Sequence, residues 1–379
     1  MSSLTHSNTD ARLQQIALAR QAVLHDGKGM ANSGSLSWIE RSWQRALASG
    51  KRPEQPVIFD VISHSAMRRV SDANHTLVRT ARPVLESLSQ AIASTRYFAI
   101  LTDAQGVVID AHGPIDRSDR RADLITRIGT DLSERALATT AISAALTELQ
   151  PVWLHRGEHF FAANSVYSCA GAPLFGTDGA CIGMLDLTGI EATERPELKH
   201  LVAQSARSIE NALTLSHLKS AYDLLVRLNW PGRTLGDETD GLVCLNADGY
   251  VTAANQMARM MVPQLTVGNH AALHASDLFA MPHDMLFDAA RKPRHMDALE
   301  VPLWTGLRLH AMPIRMGQTA PAARPVVAAQ STPPLKDIET ALIRKAVDDA
   351  RGNVMQAAKA LGISRATVYR RLGTSIKKR

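Results

Sequence analysis

Two groups of residues have the types and spacing for chemistry. The first is Ser364, Arg365, Thr367, Tyr369 and Arg370, inside a stretch, 351–379, with eight lysines and arginines and no acidic residue. Arginine can pair bidentately with guanine, and hydroxyl or basic side chains bond phosphate oxygens. Arg365 is the expected base contact; the other four are expected at bases or phosphates. Lys377, Lys378 and Arg379 are expected to add phosphate attraction alone. The second group is Trp153, His155, His159, Phe161, Tyr167 and Cys169. Aromatic walls with a few polar groups suit a pocket that orients a small molecule. At each of these six positions an ordinary core residue is the competing reading.

Other chemistry finds little support. No GxxxxGK[ST] run exists: Lys28 is followed by Gly29, and Lys51 by Arg52. Without that loop nothing cradles nucleotide phosphates. The 14 histidines include no HExxH pair, and Cys169, Cys181 and Cys244 form no CxxC. A zinc site, a disulfide framework and a catalytic constellation are therefore not expected. Neither a metal nor a cofactor is implied, and the chain does not read as an enzyme. Cys169 has no cation nearby in sequence to lower its pKa, which speaks against a redox sensor.

The elements that must position these residues follow from pattern. Residues 335–379 carry eleven basic and four acidic side chains, while the whole chain is +6. The charge is thus a local footprint that points to salt-dependent binding of double-stranded DNA. Leu335, Ile338, Leu342, Ala346 and Val347 form one helical stripe. Gly352 suits a helix C′ position and Asn353 an N-cap. A second helix reaches about Leu361, Gly362 turns, Ile363 plugs the core, and Ser364 caps a third helix that buries Val368 and Leu372. Small Ala358 allows close approach. A recognition helix of this kind presents its N-terminal residues to the major groove.

Upstream, helical spacing covers 10–24, 37–47 and 71–93. Strand–turn–strand patterns occur three times, at 97–111, 166–187 and 242–253. In each, Asp or Asn lies at or near the start of the turn and Gly closes it. A helical pattern over 197–228 places Leu215, Leu218, Tyr222 and Leu225 at heptad spacing; it reads as a domain-joining helix or a dimer helix. Asn255 reads as the N-cap of a following helix. Residues 317–334 hold four prolines and read as a semi-extended linker. No apolar run reaches membrane-spanning length and no signal core opens the chain, so a cytoplasmic protein is expected.

The stretch GNVMQAAKALGISRATVYRRL closely resembles the helix-turn-helix of the Fis family. By position, the resemblance implies that Asn353, Ser364, Arg365, Thr367 and Arg370 face DNA. Ser364 stands where Fis itself has Asn. The runs SWIERSWQRAL, ILTDAQGVVIDAHG, GEHFFAANSVYSCAGAPLFGTDG and IGMLDLTG resemble the acetoin-catabolism-regulator family of sigma-54-dependent activators. They imply a GAF domain there, and GLVCLNADGYVTAANQMARMM implies a PAS-like domain after it. One departure is the run Ala138 to Ile142, where that family more often shows GTNAIG. That family's central ATPase has no counterpart in this sequence.

The expected architecture is α+β and multidomain. It comprises an N-terminal helical region (1–80), a GAF-like domain (81–215), a connecting helix with a PAS-like domain (216–316), the linker (317–334) and a Fis-type helix-turn-helix (335–379). The expected function is ligand-responsive, sequence-specific DNA binding in transcription regulation. A homodimer, a small-molecule effector and RNA polymerase are the expected partners. The alternative is an architectural DNA-binding protein with vestigial sensory domains.

Overall fold

A computed structural model describes residues 2–26, 37–219, 223–266, 273–291, 299–315, 346–347, 350, 353–361, 363, 365 and 367–368. The chain divides into two compact units, residues 1–320 and 321–379. Residues 317–334, read as a linker, lie outside the described residues.

The first unit opens with helix α1 (Ser2–Arg20), one wider turn (Gln21–His25) and α2 (Ser37–Ala48). Next comes α3 (His64–Ile92), capped by Ser63, whose side chain accepts from Ala66 N. Leu77, Ala81, Leu85, Leu88 and Ile92 are its buried stripe, at the three-to-four spacing that keeps one helical face inward.

A five-stranded antiparallel sheet follows: β1 (Tyr97–Asp103), β2 (Val108–His112), β3 (Val152–His155), β4 (Tyr167–Phe175) and β5 (Cys181–Ile190). Between β2 and β3 lie α4 (Arg120–Ile125), α5 (Glu134–Leu137) and α6 (Ala141–Glu148). The strand order is β2-β1-β5-β4-β3. Alternation along each strand feeds two cores. Leu101, Ala170 and Leu185 join a core with Leu85 of α3 and Ile209 of α7 (Leu198–Leu215). Ile100, Cys169 and Met184 join another with Ile125, Leu137 and Ile142.

The second sheet contains β6 (Leu224–Asn229), β7 (Gly241–Leu245), β8 (Val251–Ala254), β9 (Leu299–Pro302) and β10 (Arg308–Arg315), in the order β8-β7-β6-β10-β9. Helices α8 (Gln256–Met261), α9 (Ala275–Leu278) and α10 (Asp284–Arg291) lie between β8 and β9. The two sheets share one layout with a permuted chain path. The central strand comes last in the first sheet, as β5, and first in the second, as β6. Both are α+β layers of the kind expected for GAF-like and PAS-like sensory domains.

The three expected turns are present. Gly106, Gly179 and Gly249 close them with φ between +83° and +85°, a region that penalises a Cβ. Asp103 Oδ1 accepts from Gln105 N and Val107 N, both at 2.9 Å. Asn246 Oδ1 accepts from Asp248 N and Tyr250 N.

The expected helix over 197–228 is corrected. Helix α7 stops at Leu215, and Leu224–Asn229 is the central strand of the next sheet. Its run Leu-Leu-Val-Arg-Leu is buried on both faces, so it carries no period-two signature and imitates a helix. Leu218 and Leu225 pack on Leu242, Cys244 and Ala253. The heptad seam does not form, and Tyr222 lies outside the described residues.

The β4–β5 turn meets the second sheet inside this unit. Arg259 of α8 donates to Thr177 O, Leu265 O and Ala254 O. Ala254 N also donates to Thr177 O at 3.3 Å. Asn255 caps α8 as expected, accepting from Ala258 N at 2.8 Å. It further accepts from Leu242 N, and it donates to Asp240 O and Asn211 Oδ1.

Candidate ligand cavity and nucleic-acid interface

In the second unit, helix α11 (Val354–Ala360) begins where Asn353 Oδ1 accepts from Met355 N and Gln356 N, each at 3.2 Å. Asn353 therefore acts as the helix cap while its side chain stays exposed. The helix ends where Ile363 N donates to Ala358 O at 3.0 Å. Val347, Val354, Ala357, Ala358 and Val368 form a small core, and Ile363 packs against it. Arg365, Thr367 and Val368 are helical: Arg365 is exposed, Thr367 half-buried and Val368 fully buried. Arg365 is thus free of the core that Val368 anchors. Ser364, Tyr369 and Arg370 lie outside the described residues.

The first unit holds a cavity of about 40 Å³ between the first sheet and α4–α6. Of the six expected pocket residues, His159, Tyr167 and Cys169 line it. Trp153, His155 and Phe161 do not. Strand register separates them: Trp153 pairs with Ala170 and His155 with Ser168, whereas Leu154 pairs with Cys169. Trp153 joins the core under α3 and α7. His155 stacks beside it, and its Nδ1 is 2.8 Å from Ser168 Oγ. Phe161 packs with Phe160, Trp43 and Ala19 in the core formed with α1 and α2.

Other residues complete the cavity. Thr140, Ala141 and Ile142 form one wall. They belong to the run that departs from the acetoin-regulator pattern. Thr140 and Ser143 form a reciprocal capping box that starts α6 at the cavity edge. Gly171 permits this approach, because a Cβ there would lie 3.1 Å from Ala141 O and 2.7 Å from Met184 Cε. Asn164, Asp186 and Thr188 are also in the wall.

Asp186 dominates the electrostatics. It is fully buried on the central strand, and burial pushes its carboxyl up to about 7. Thr188 Oγ1 donates to Oδ2, and Cys169 Sγ lies 3.4 Å from that hydroxyl. Oδ1 has no hydrogen-bond partner among the described residues. The other titratable groups in the wall are neutral near pH 7. Burial lowers His159 to about 4, although its Nδ1 meets Arg156 O at 2.9 Å. Burial also raises the Tyr167 hydroxyl and lifts the Cys169 thiol well above its ordinary value. A buried thiol held neutral is a poor redox nucleophile. Asp186 had a visible sequence signal in Met-Leu-Asp-Leu-Thr, a carboxylate in the alternation of an otherwise apolar strand.

Among the described residues no helix is long and apolar enough to cross a membrane. No group of three or more His, Cys, Asp or Glu among them is placed to hold a metal ion.

Comparison with known proteins matches residues 12–211 to the family described as MimR, N-terminal domain, and residues 334–373 to the bacterial regulatory proteins of the Fis family. The chain is 29% identical over 260 residues to the acetoin catabolism regulatory protein of Cupriavidus necator, covering 66% of this chain and 37% of that protein. It is 25% identical to the acetoin dehydrogenase operon transcriptional activator AcoR of Bacillus subtilis, covering 59% and 36%. It is 26% identical to the propane 2-monooxygenase operon transcriptional activator MimR of Mycolicibacterium smegmatis, covering 55% and 34%. The chain therefore spans little more than a third of the length of these relatives. Among solved structures, the E. coli DhaR(N)–DhaL complex aligns over 72% of this chain and 98% of that chain, at 16% identity and a TM-score of 0.44.

Proposed function

Starting from a chain that belongs to the MimR N-terminal-domain family and carries a Fis-family segment, we propose that it is an effector-responsive, sequence-specific DNA-binding regulator of transcription. The observation that carries the reading is the second unit: a capped helix, a packed turn, and an exposed helical Arg365 beyond it. The relatives' names, all of transcription regulators, support it.

In this reading Arg365 contacts a base. Asn353, Ser364, Thr367, Tyr369 and Arg370 add base or phosphate contacts. Two copies bind half-sites one DNA turn apart. The cavity in the first unit holds the effector, with His159, Tyr167 and Cys169 in its wall. The β4–β5 hairpin carries Cys169 and Asp186 on its strands and Thr177 in its turn, where Arg259 grips it. That hairpin is the physical route from cavity to second sheet. The sequence holds no nucleotide-phosphate loop, so the protein regulates by occupying DNA, or through contact with RNA polymerase, without hydrolysing ATP. The site of action is the cytoplasm.

Footprinting of the full chain at physiological salt tests the reading. It should give a bounded, sequence-dependent protection. Arg365→Ala should reduce discrimination at one base position by about 1–3 kcal/mol. Equal protection of unrelated sequences would favour an architectural DNA-binding role instead.

A further inference from the structure

The cavity beside α6 has one feature that its apolar walls do not explain. Asp186 sits at its wall with no exposure to solvent, and Oδ1 has no partner among the described residues. Its strand neighbours are Gly171 on β4, which has no side chain, and Ile100 on β1, which is apolar. Thr188 satisfies only Oδ2. A buried carboxylate oxygen without a donor is costly, and strands rarely tolerate one without a role.

We propose that Asp186 Oδ1 reads the effector, and that the effector is a small neutral alcohol whose hydroxyl donates to it. This rests on the reading of the chain as an effector-responsive regulator. Size and charge on the page narrow the ligand. Since one water needs about 10–15 Å³ of such space, a cavity of about 40 Å³ holds about three or four water-sized groups, so only a small molecule fits. Ile100, Ile125, Leu132, Leu137 and Ile142 supply the apolar wall for a short carbon chain. Carboxylate ligands are disfavoured because Asp186 is the one ionisable charge in that wall; His159, Tyr167 and Cys169 are neutral. A ketone of the same size offers the ionised Oδ1 no proton. An ammonium would supply one, but it must leave water for an apolar wall that can satisfy only part of its hydration.

The test is direct binding to the full-length chain at pH 8.5, where the carboxyl is ionised. The probes are 2-butanol, butanone, sec-butylamine and butyrate, followed by titration calorimetry and ligand-observed NMR. The expected order places 2-butanol at least tenfold above butanone and butyrate. Asp186→Asn keeps the shape and turns Oδ1 into an N–H donor, so it should remove that preference and favour butanone. Ile142→Phe fills the cavity without touching the carboxyl and should abolish binding of every probe. Equal binding of alcohol and ketone by the unaltered chain overturns the proposal, as does tightest binding of the amine. Neither outcome depends on the variants folding. An electrophoretic shift with the same probes separates the two claims. Alcohol binding that leaves DNA affinity unchanged would sink the effector-responsive reading and leave the role of Asp186 intact.

Discussion

Replacing Asp186 by Asn should change how stability depends on pH, by an amount that follows from its burial. The carboxyl moves from 3.8 when solvated to about 7 in the fold, with burial as the leading cause. The folded state therefore holds the proton more tightly than the unfolded chain does. The resulting stability is fully present below about pH 4 and is lost as pH rises through about 7. At about 1.4 kcal/mol per unit, the change across that window is about 4 kcal/mol. Asn cannot titrate. Its amide oxygen can keep the bond from Thr188, while its amide nitrogen leaves an unpaired donor that costs about 1–3 kcal/mol at every pH.

The variant should thus gain on the parent by about 4 kcal/mol between pH 4 and pH 8.5. Other buried groups complicate either curve alone. Glu210, also raised to about 7 by burial, loses stability in the same direction. His155 and His159, held near 4 by burial, act oppositely: their contribution is present above 6.5 and is lost as pH falls through about 4. These terms are common to both proteins and cancel in the difference. Urea unfolding at four pH values, read by fluorescence of buried Trp43, gives that difference by linear extrapolation. A gap between the two proteins that stays constant within about 1 kcal/mol from pH 4 to 8.5 would refute the reasoning.

Three further expectations concern how the cavity is held and coupled. Asn255→Ala removes an amide that makes four hydrogen bonds between α8, β7 and α7; urea unfolding should show a loss of about 2–4 kcal/mol, since buried groups are left unpaired. Arg259→Ala strips donors from Thr177 O, Leu265 O and Ala254 O; the expected cost is about 2–3 kcal/mol, with faster amide exchange in the 176–180 turn as the decisive readout. Thr140→Ala breaks the capping box at the cavity edge and should cost about 1 kcal/mol; a melting temperature equal to the parent's would show that α6 is held by packing alone.

What could be read from sequence was local chemistry. The three turns were legible because Asp103 and Asn246 bond backbone amides within four residues, and glycine alone takes the closing conformation at no steric cost. Asn255 was legible as a cap for the same reason, although its bonds to Leu242 N and Asn211 were not. Strand β6 is not legible in the sequence because its buried run satisfies either period. Only its pairing with β7 and β10 decides the matter. The cavity failed in a similar way. Trp153 and His155 are as aromatic and polar as Tyr167 and His159, but the β3–β4 register turns the first pair away from the cavity wall. A shift of one residue would exchange the faces. Asp186 needed still more: a glycine at 171, the start of α6 over it, and a central strand that is the fifth to be made. Its isolation is a product of chain pairings far apart in sequence. That isolation separates a carboxylate able to select a ligand from one that merely neutralises a neighbour.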